Sequence, residues 1–123
     1  MKNTLPLLLL LGAVVVPARA ADYALTDVAT KLDHPWSIAF LPDGDFLVTE
    51  RPGRLLRLSG DQRIEIAGAP ETYVAGQGGY FDIVLDPGFA TNGWVYLAYA
   101  EGTKRANRTA VMRARLEDDR LVD

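Results

Sequence analysis

The second half of this 123-residue sequence repeats the first half. Residues 38–44 (IAFLPDG) recur 45 positions later as residues 83–88 (IVLDPG). Each copy is followed by a hydrophobic segment that closes on a glutamate, at residues 46–50 and 96–101. In the next segment of each copy, at 54–58 and 111–116, arginines are interleaved with apolar residues. A period near 45 residues therefore organises the chain.

Short apolar segments and turn residues alternate within each copy. Turns are predicted at residues 42–45, 52–53 and 60–61, because proline presets φ and glycine supplies a positive φ. Since no stretch keeps a 3.6-residue period for three turns, a helical bundle is excluded. The sequence predicts β-strands at residues 36–41, 46–50, 54–58, 63–67, 81–85, 94–100, 109–116 and 121–122, with insertions at 90–93 and 102–108.

A repeat of about 45 residues with four antiparallel strands has the size of one β-propeller blade. We therefore predict an all-β chain that contains the first two blades of a truncated propeller, at about residues 32–67 and 78–123. The fourth strand of the second unit breaks off at Asp123 without a capping segment, so we expect a piece of a longer protein. The alternative is a lone β domain of two sheets.

The first twenty residues have the pattern of an export signal. Lys2 is followed by an apolar stretch at 5–16 and by a small-x-small cleavage site at 18–20. Twelve apolar residues are too few to span a bilayer, which takes about 20. We predict removal of residues 1–20, a mature chain 21–123 without a membrane span, and a periplasmic or secreted location.

Charge and composition exclude several function classes. The chain has 13 Lys and Arg against 16 Asp and Glu, a formal net charge of −3. It lacks the clustered basic surplus that phosphate binding requires, so we expect no nucleic-acid partner. The absence of cysteine excludes disulfides, thiolate zinc sites and a cysteine nucleophile.

The loop at residues 68–80 contains the best candidate for a binding residue. In a propeller, this loop runs from the outermost strand of one blade to the innermost strand of the next and ends beside the central channel. Gln77 stands between Gly76 and the pair Gly78 and Gly79. Glycines let a ligand or a backbone approach closely, and the amide of Gln77 both donates and accepts hydrogen bonds. The residues are compatible with a sugar-binding or quinone-binding loop and with a plain flexible turn.

His34 is the only histidine and precedes the first innermost strand. An imidazole there could serve as a general base, or it could pack against and cap the start of the strand. Asp43 and Asp45 lack the ligand register of a calcium loop and are predicted to form a turn. Asp82 interrupts an apolar strand, so we predict a buried structural carboxylate with an arginine partner or a cation in the channel.

The remaining polar and aromatic residues favour structural roles. Residues 50–54 form a charged turn that is expected to solvate a blade edge. Aromatic residues at strand positions are typical of blade packing, and four residues are predicted to pack in this way: Trp36, Trp94, Tyr96 and Tyr99.

Three motifs resemble a known family: HPWSIAFLPDGDFLVTERPGRLLRL, GQGGYFDIVLDPGF and NGWVYLAYA. They are similar to the N-terminal part of the soluble pyrroloquinoline-quinone (PQQ)-dependent sugar dehydrogenases, which include the aldose sugar dehydrogenases and the glucose and sorbosone dehydrogenase group. The likeness covers about residues 32–116, in the family's order and spacing. It implies a six-bladed propeller with Gln77 in the active site, at the sugar and cofactor position. It also implies that the base histidine lies beyond this chain, which opposes a base role for His34.

The resemblance implies an exported quinoprotein that oxidises the anomeric hydroxyl of an aldose to a lactone. PQQ is the implied hydride acceptor, Ca²⁺ polarises it, and an external acceptor takes the electrons. The family's calcium and quinone ligands come mostly from later blades, so we predict no catalytic and no metal-ligating residue in this chain. We expect residues 1–123 alone to be inactive. The alternative is a catalytically empty propeller that binds a sugar or protein ligand in its channel.

Overall fold

A computed structural model describes residues 23–122, which form two four-stranded antiparallel sheets. The strands of each sheet lie side by side in chain order. The first sheet contains β1 (Pro35–Phe40), β2 (Phe46–Glu50), β3 (Arg54–Ser59) and β4 (Gln62–Glu65). The second sheet contains β5 (Tyr80–Leu85), β6 (Trp94–Gly102), β7 (Asn107–Glu117) and β8 (Arg120–Val122). The all-β prediction is confirmed, and a strand is present at each predicted position.

Two local differences from the predicted elements have clear causes. β4 ends at Glu65 and does not reach 67, because Ala67 leaves the first sheet and forms a parallel bridge with Arg120 of the second. The predicted insertion at 90–93 lies mostly in a short helix, α1 (Phe89–Asn92). This helix ends at Gly93, whose φ of 67° is left-handed and whose N–H donates to the carbonyl of Phe89.

The predicted export signal at 1–20 lies outside the described residues, so its cleavage and the periplasmic or secreted location stay predictions. Within residues 23–122, no helix is both long and apolar enough to cross a membrane.

Matching the strand registers shows which positions of the two repeats are equivalent. Ile38 lies opposite Val48 in the first sheet, and Ile83 lies opposite Leu97 in the second. By the same count, Glu50 is level with Tyr99. The predicted equivalence of the glutamates at 50 and 101 is therefore wrong, because β6 has nine residues where β2 has five and continues past the matching position.

We call the face of each sheet that carries Ile38 or Ile83 its back, and the face that carries Ala39 or Val84 its front. The two sheets stack in the same sense, with the back of the second sheet against the front of the first. Ile38 on the back of the first sheet is 48% exposed, whereas its equivalent Ile83 is 2% exposed. On the front faces, Ala39 is 8% exposed and its equivalent Val84 is 54% exposed. Equivalent positions thus differ in burial according to whether a neighbouring sheet covers them. This repeated stacking is the arrangement of successive propeller blades.

The apolar core lies between the sheets. Burying each large aliphatic side chain there contributes about 1.5–3 kcal/mol. Its largest aliphatic members are Leu41, Leu47, Leu55 and Ile66 from the first repeat and Ile83, Val95, Leu97 and Leu121 from the second.

The segment before β1 covers only part of the back of the first sheet. Ala29 and Leu32 pack on the buried side chains of β2 and β3, and the Arg63 side chain donates to the carbonyls of Thr30 and Lys31. β1 is left uncovered on this face, where Phe40 is exposed. Each outer face of the described pair of sheets therefore carries exposed apolar side chains.

Hydroxyl groups of β1 and β2 join the first sheet to β5. β5 has a bulge between Tyr80 and Ile83, so that Phe81 and Asp82 lie outside the regular strand register. The hydroxyl of Thr49 donates to the carbonyl of Phe81 at 2.6 Å, and the N–H of Ile83 donates to Oγ of Ser37 at 3.3 Å. Side chains of the first sheet therefore satisfy the backbone of the second.

At the other end of β1, Arg57 links three turn carboxylates. Its guanidinium lies 2.6 Å from Asp43 and 2.7 Å from Asp45 of the β1–β2 turn, and 3.6 Å from Asp119 of the β7–β8 turn. The hydrogen bond from Arg57 lowers the pKa of Asp45 below its usual value. Asp43 and Asp45 are turn residues, as predicted, and their arginine also ties the two sheets together.

Candidate functional site

The loop between β4 and β5 presents Gln77 on a tight turn. The N–H of Gly78 donates to the carbonyl of Ala75 at 2.8 Å, which closes the turn. Gly76, the second residue of the turn, has a φ of +56°, a conformation that glycine adopts without steric cost. Gln77 follows it and is exposed. The amide therefore stands at the tip of a turn that glycine makes possible.

Gly79 brings this loop into contact with the β2–β3 turn. Its φ is +148°, and a Cβ at this position would lie 2.1 Å from the carbonyl oxygen of Arg51. The N–H of the next residue, Tyr80, donates to that same oxygen at 3.1 Å. The glycines do permit a close approach, as the sequence predicted, and at Gly79 the approaching group is the backbone of Arg51.

Arg51 connects the beginnings of both innermost strands. Besides accepting from Tyr80, its backbone donates to the carbonyl of His34 at 3.0 Å. Its guanidinium Nη1 donates to the carbonyl of Gly76 at 2.5 Å. One residue of the β2–β3 turn therefore contacts the start of β1, the start of β5 and the turn that carries Gln77.

These contacts leave an open cleft of about 450 Å³, the hub cleft, at the end of the sheets where β1 and β5 begin. Its lining combines a guanidinium, an amide, an imidazole and an indole, groups that together can bind a planar or hydroxylated ligand with acidic or carbonyl oxygens. The lining residues are His34, Pro35, Trp36, Arg51 and Gln77.

Trp36 is a cleft residue as well as a packing residue. Its ring meets Phe81 edge-on, with centroids 5.4 Å apart and planes at 63°. The residue is nevertheless 47% exposed, so the prediction that it serves blade packing is only partly right. Trp94 contacts an arginine of the neighbouring strand, with the guanidinium of Arg113 lying 4.3 Å from its ring centroid, so its predicted role in packing between blades stays a prediction.

His34 lies in the hub cleft with its imidazole exposed. Its backbone has a φ of +50°, which is strained for a residue with a Cβ, and Nδ1 lies 2.6 Å from Oδ1 of Asp33. The side chain is 65% exposed, so the predicted packing role is wrong for the ring. His34 holds the start of β1 through its carbonyl, which accepts from Arg51.

Glu50, the last residue of β2, is fully buried at this end of the sheets. Its Oε1 accepts from the N–H of Asp33 at 2.6 Å, and its Oε2 lies 2.5 Å from Nη2 of Arg54. The expectation that residues 50–54 form a solvated turn is therefore wrong at Glu50. Because Asp33 in turn contacts the imidazole of His34, the buried carboxylate holds the segment that leads into the cleft.

The two aspartates of the second repeat have different surroundings. Asp82 is exposed on the front of β5, so the predicted buried structural carboxylate is wrong. Asp86 accepts from Asn92 at 2.9 Å, from the N–H of Gly88 at 2.8 Å and from the hydroxyl of Tyr96 at 2.9 Å. These hydrogen bonds, that of Asn92 first, lower the pKa of Asp86. Asp86 therefore organises the turn between β5 and β6.

Tyr80 anchors the loop between β4 and β5 from the apolar core. The residue is buried, and its hydroxyl donates to the carbonyl of Pro70 at 2.5 Å. Burial is the main cause that raises its pKa to about 12, so the phenol stays protonated at neutral pH.

Of the hub-cleft residues, sequence reasoning identified only Gln77 as a binding residue. The signal that could have added His34 is the repeat itself, since His34 stands 45 positions before Gly79 and therefore occupies the matching strand entrance. No pattern pointed to Arg51, because its role depends on contacts between turns that are distant in sequence.

Two like-oriented blades, whose first strands begin at one cleft, define part of a β-propeller. The chain belongs to the glucose/sorbosone dehydrogenase family, whose family model matches residues 32–123.

Relatives and solved structures agree with this assignment. The chain is 40% identical over 119 residues to the aldose sugar dehydrogenase YliI of Escherichia coli K12, covering 93% of this chain and 31% of that protein. A crystal structure of a glucose dehydrogenase matches with a TM-score of 0.74 and 42% identity, over 80% of this chain and 30% of that one. The PQQ-bound aldose sugar dehydrogenase of Streptomyces coelicolor matches with a TM-score of 0.69 and 29% identity, over 80% and 30%. The chain thus spans about a third or less of the length of these proteins.

The side chains that line the hub cleft fit one edge of a quinone cofactor. A guanidinium suits a carboxylate, the Gln77 amide suits a quinone or sugar oxygen, and the Trp36 ring offers a flat apolar face. Among residues 23–122, no group of three or more His, Asp and Glu side chains is placed to hold a metal ion.

Proposed function

We propose that this chain forms the first two blades, and one wall of the active site, of an exported PQQ-dependent sugar dehydrogenase that oxidises aldoses to lactones. The observation that carries this proposal is the placement of Gln77, Arg51 and Trp36 around one cleft where both innermost strands begin. Family membership supports the dehydrogenase class, and the signal pattern at residues 1–20 supports export.

In this proposal the chain orients and does not perform the bond-breaking step. PQQ supplies the hydride acceptor when bound. The Gln77 amide donates to a quinone oxygen or accepts from a sugar hydroxyl, and the exposed face of Trp36 lies against the ring of the ligand. Arg51 adds positive charge on the same side of the cleft. The hydroxyl proton is taken by a base outside this chain, as the family resemblance implies.

The experiment is a graft. Residues 23–122 replace the matching part of the E. coli aldose sugar dehydrogenase, and the chimera is loaded with PQQ and Ca²⁺ and assayed for dye-linked aldose oxidation. We expect turnover, and we expect Gln77→Ala to lower kcat/KM by about tenfold or more, the loss of a hydrogen bond of about 1.4 kcal/mol. Gln62→Ala is the matched control, because Gln62 is exposed on β4 and does not line the cleft.

Two results would contradict the proposal. One is a folded, PQQ-loaded chimera in which Gln77→Ala keeps the parent kcat/KM. The other is a folded chimera that binds aldose without oxidising it, which would favour the alternative of a catalytically empty binding module.

A further inference from the structure

We propose that Arg51 is the positioning residue for Gln77, in that its guanidinium holds the turn that presents the amide to the hub cleft. This inference rests on the function proposed above, because it concerns how the same site is kept in order. It assigns a role to a side chain of the β2–β3 turn, which lies 25 residues before the loop residue that it contacts.

The turn needs an external support because its own residues provide little rigidity. Gln77 is flanked by Gly76 and Gly78, and glycine restricts the backbone less than any other residue. Gln77 is exposed and belongs to neither apolar cluster of the described residues. The hydrogen bond between Gly78 and Ala75 closes the turn. The backbone of Ala100 in β6 anchors the loop on either side of this turn, at Tyr73 and at Gly79, and Gly76 and Gln77 lie between these two anchors.

The Arg51 guanidinium supplies an attachment inside the turn, at Gly76. Nη1 donates to the carbonyl of Gly76, the residue directly before Gln77, at 2.5 Å. The aliphatic stem is held against the loop, since a Cβ on Gly79 would lie 2.7 Å from Cγ of Arg51. Nε of Arg51 is buried without a hydrogen-bond partner, so the polar contact of this side chain with the loop is made at the guanidinium tip. Because Nη1 stands one bond further from Cα than the Nζ of a lysine, we expect lysine at this position to reach the Gly76 carbonyl less well.

Backbone and side-chain roles of Arg51 are separable. The N–H of Tyr80 donates to the backbone carbonyl of Arg51, which every substitution at 51 keeps. Only the contact with Gly76 depends on the guanidinium. Loss of the side chain should therefore loosen residues 76–78 and leave the attachment at Tyr80 intact.

The test uses the 123-residue chain with Arg51→Lys and Arg51→Met, and Arg63→Lys as the matched control. Arg63 also donates to backbone carbonyls of a loop, but at the far side of the first sheet. We expect amide hydrogen exchange at Gly78 to accelerate about tenfold or more in both Arg51 variants, with exchange at Tyr80 within about twofold of the parent. We also expect the order parameter of the Gln77 amide to fall from a rigid value of about 0.85 to below about 0.6.

Three outcomes would overturn the inference: unchanged exchange at Gly78, equal acceleration at Gly78 and Tyr80, or the same acceleration in Arg63→Lys. Titration with PQQ separates this inference from the proposed function. We expect PQQ to shift the resonances of Gln77 and Trp36 in the parent chain, with affinity about tenfold weaker in Arg51→Lys. If PQQ shifts no resonance in the parent, the proposed function fails at this site, while the exchange data still decide whether Arg51 orders the turn.

Discussion

The hydroxyl of Thr49 lies 2.6 Å from the carbonyl oxygen of Phe81 and joins β2 of the first sheet to β5 of the second. Thr49 is fully buried and also accepts from the N–H of Ser37 at 3.1 Å. One side chain therefore satisfies a bulged residue in each innermost strand. The two blades are held together at this end by specific polar contacts as well as by apolar burial.

Thr49→Val should destabilise the chain by about 1–3 kcal/mol, because it removes two partly buried hydrogen bonds that contribute about 0.5–1.5 kcal/mol each. The measurement is urea unfolding followed by circular dichroism, with an unchanged m-value. Thr109→Val, at an exposed position of β7, is the control and should stay within about 0.5 kcal/mol of the parent. Equal stability of the two variants would contradict the role of the Thr49 hydroxyl.

Gly79→Ala should destabilise the chain by about 2–5 kcal/mol, because the methyl group would meet the Arg51 carbonyl at 2.1 Å and the backbone has a φ of +148°. Gly60→Ala is the matched control, since Gly60 also has a positive φ but no atom lies within 4 Å of the added carbon. It should lose only about 1 kcal/mol. The difference in urea midpoints measures the steric contribution, and similar losses at both positions would show that strain alone sets the effect.

Stability should fall at acid pH through Asp45 and Asp86, whose pKa values are lowered in the folded chain. A carboxyl with a depressed folded pKa stabilises the fold above its unfolded pKa, about 3.9, and this contribution is lost as the pH falls through the folded pKa. Asp86→Asn should be less stable than the parent at pH 7, and the two should converge below about pH 4. Thermal midpoints between about pH 7 and pH 2 provide the measurement. Parallel profiles would rule out this linkage.

The 123-residue chain by itself should show no aldose oxidation after incubation with PQQ and Ca²⁺. The described residues form one wall of a cleft and contain no group of three or more metal-capable side chains placed to hold an ion. Dye reduction is the readout, and the E. coli enzyme loaded in the same way is the positive control. Turnover by the chain alone would refute the proposal that residues outside this chain take the proton and bind the metal.

Local patterns predicted the strands well because turn chemistry and alternation are local properties. Pro42 and Gly44 close the turn between β1 and β2 whatever lies beside the sheet. Burial was less predictable, since it depends on which face meets a neighbour. Asp82 reads as a buried charge in an apolar strand, yet the front of β5 is open in the described chain.

The candidate site was predictable only where a single segment defines it. Gln77 stood out because of the glycines on either side. Arg51 and Glu50 looked like parts of a surface turn, because nothing in residues 50–54 indicates that another loop lies over them. Their roles arise from the approach of Gly79 and Asp33, which only the folded chain brings about.

The hydroxyl contacts between the strands also mean that the two repeats are not interchangeable. Ser37 and Thr49 meet the bulge of β5, whereas the matching positions of the second repeat hold Asp82 and Ala98. A methyl group cannot donate to a carbonyl, so the second repeat could not serve the same neighbour in the same way. Two repeats with a common architecture thus differ in the polar groups that they offer to a following sheet, so exchanging their order would remove the hydroxyl contacts between them.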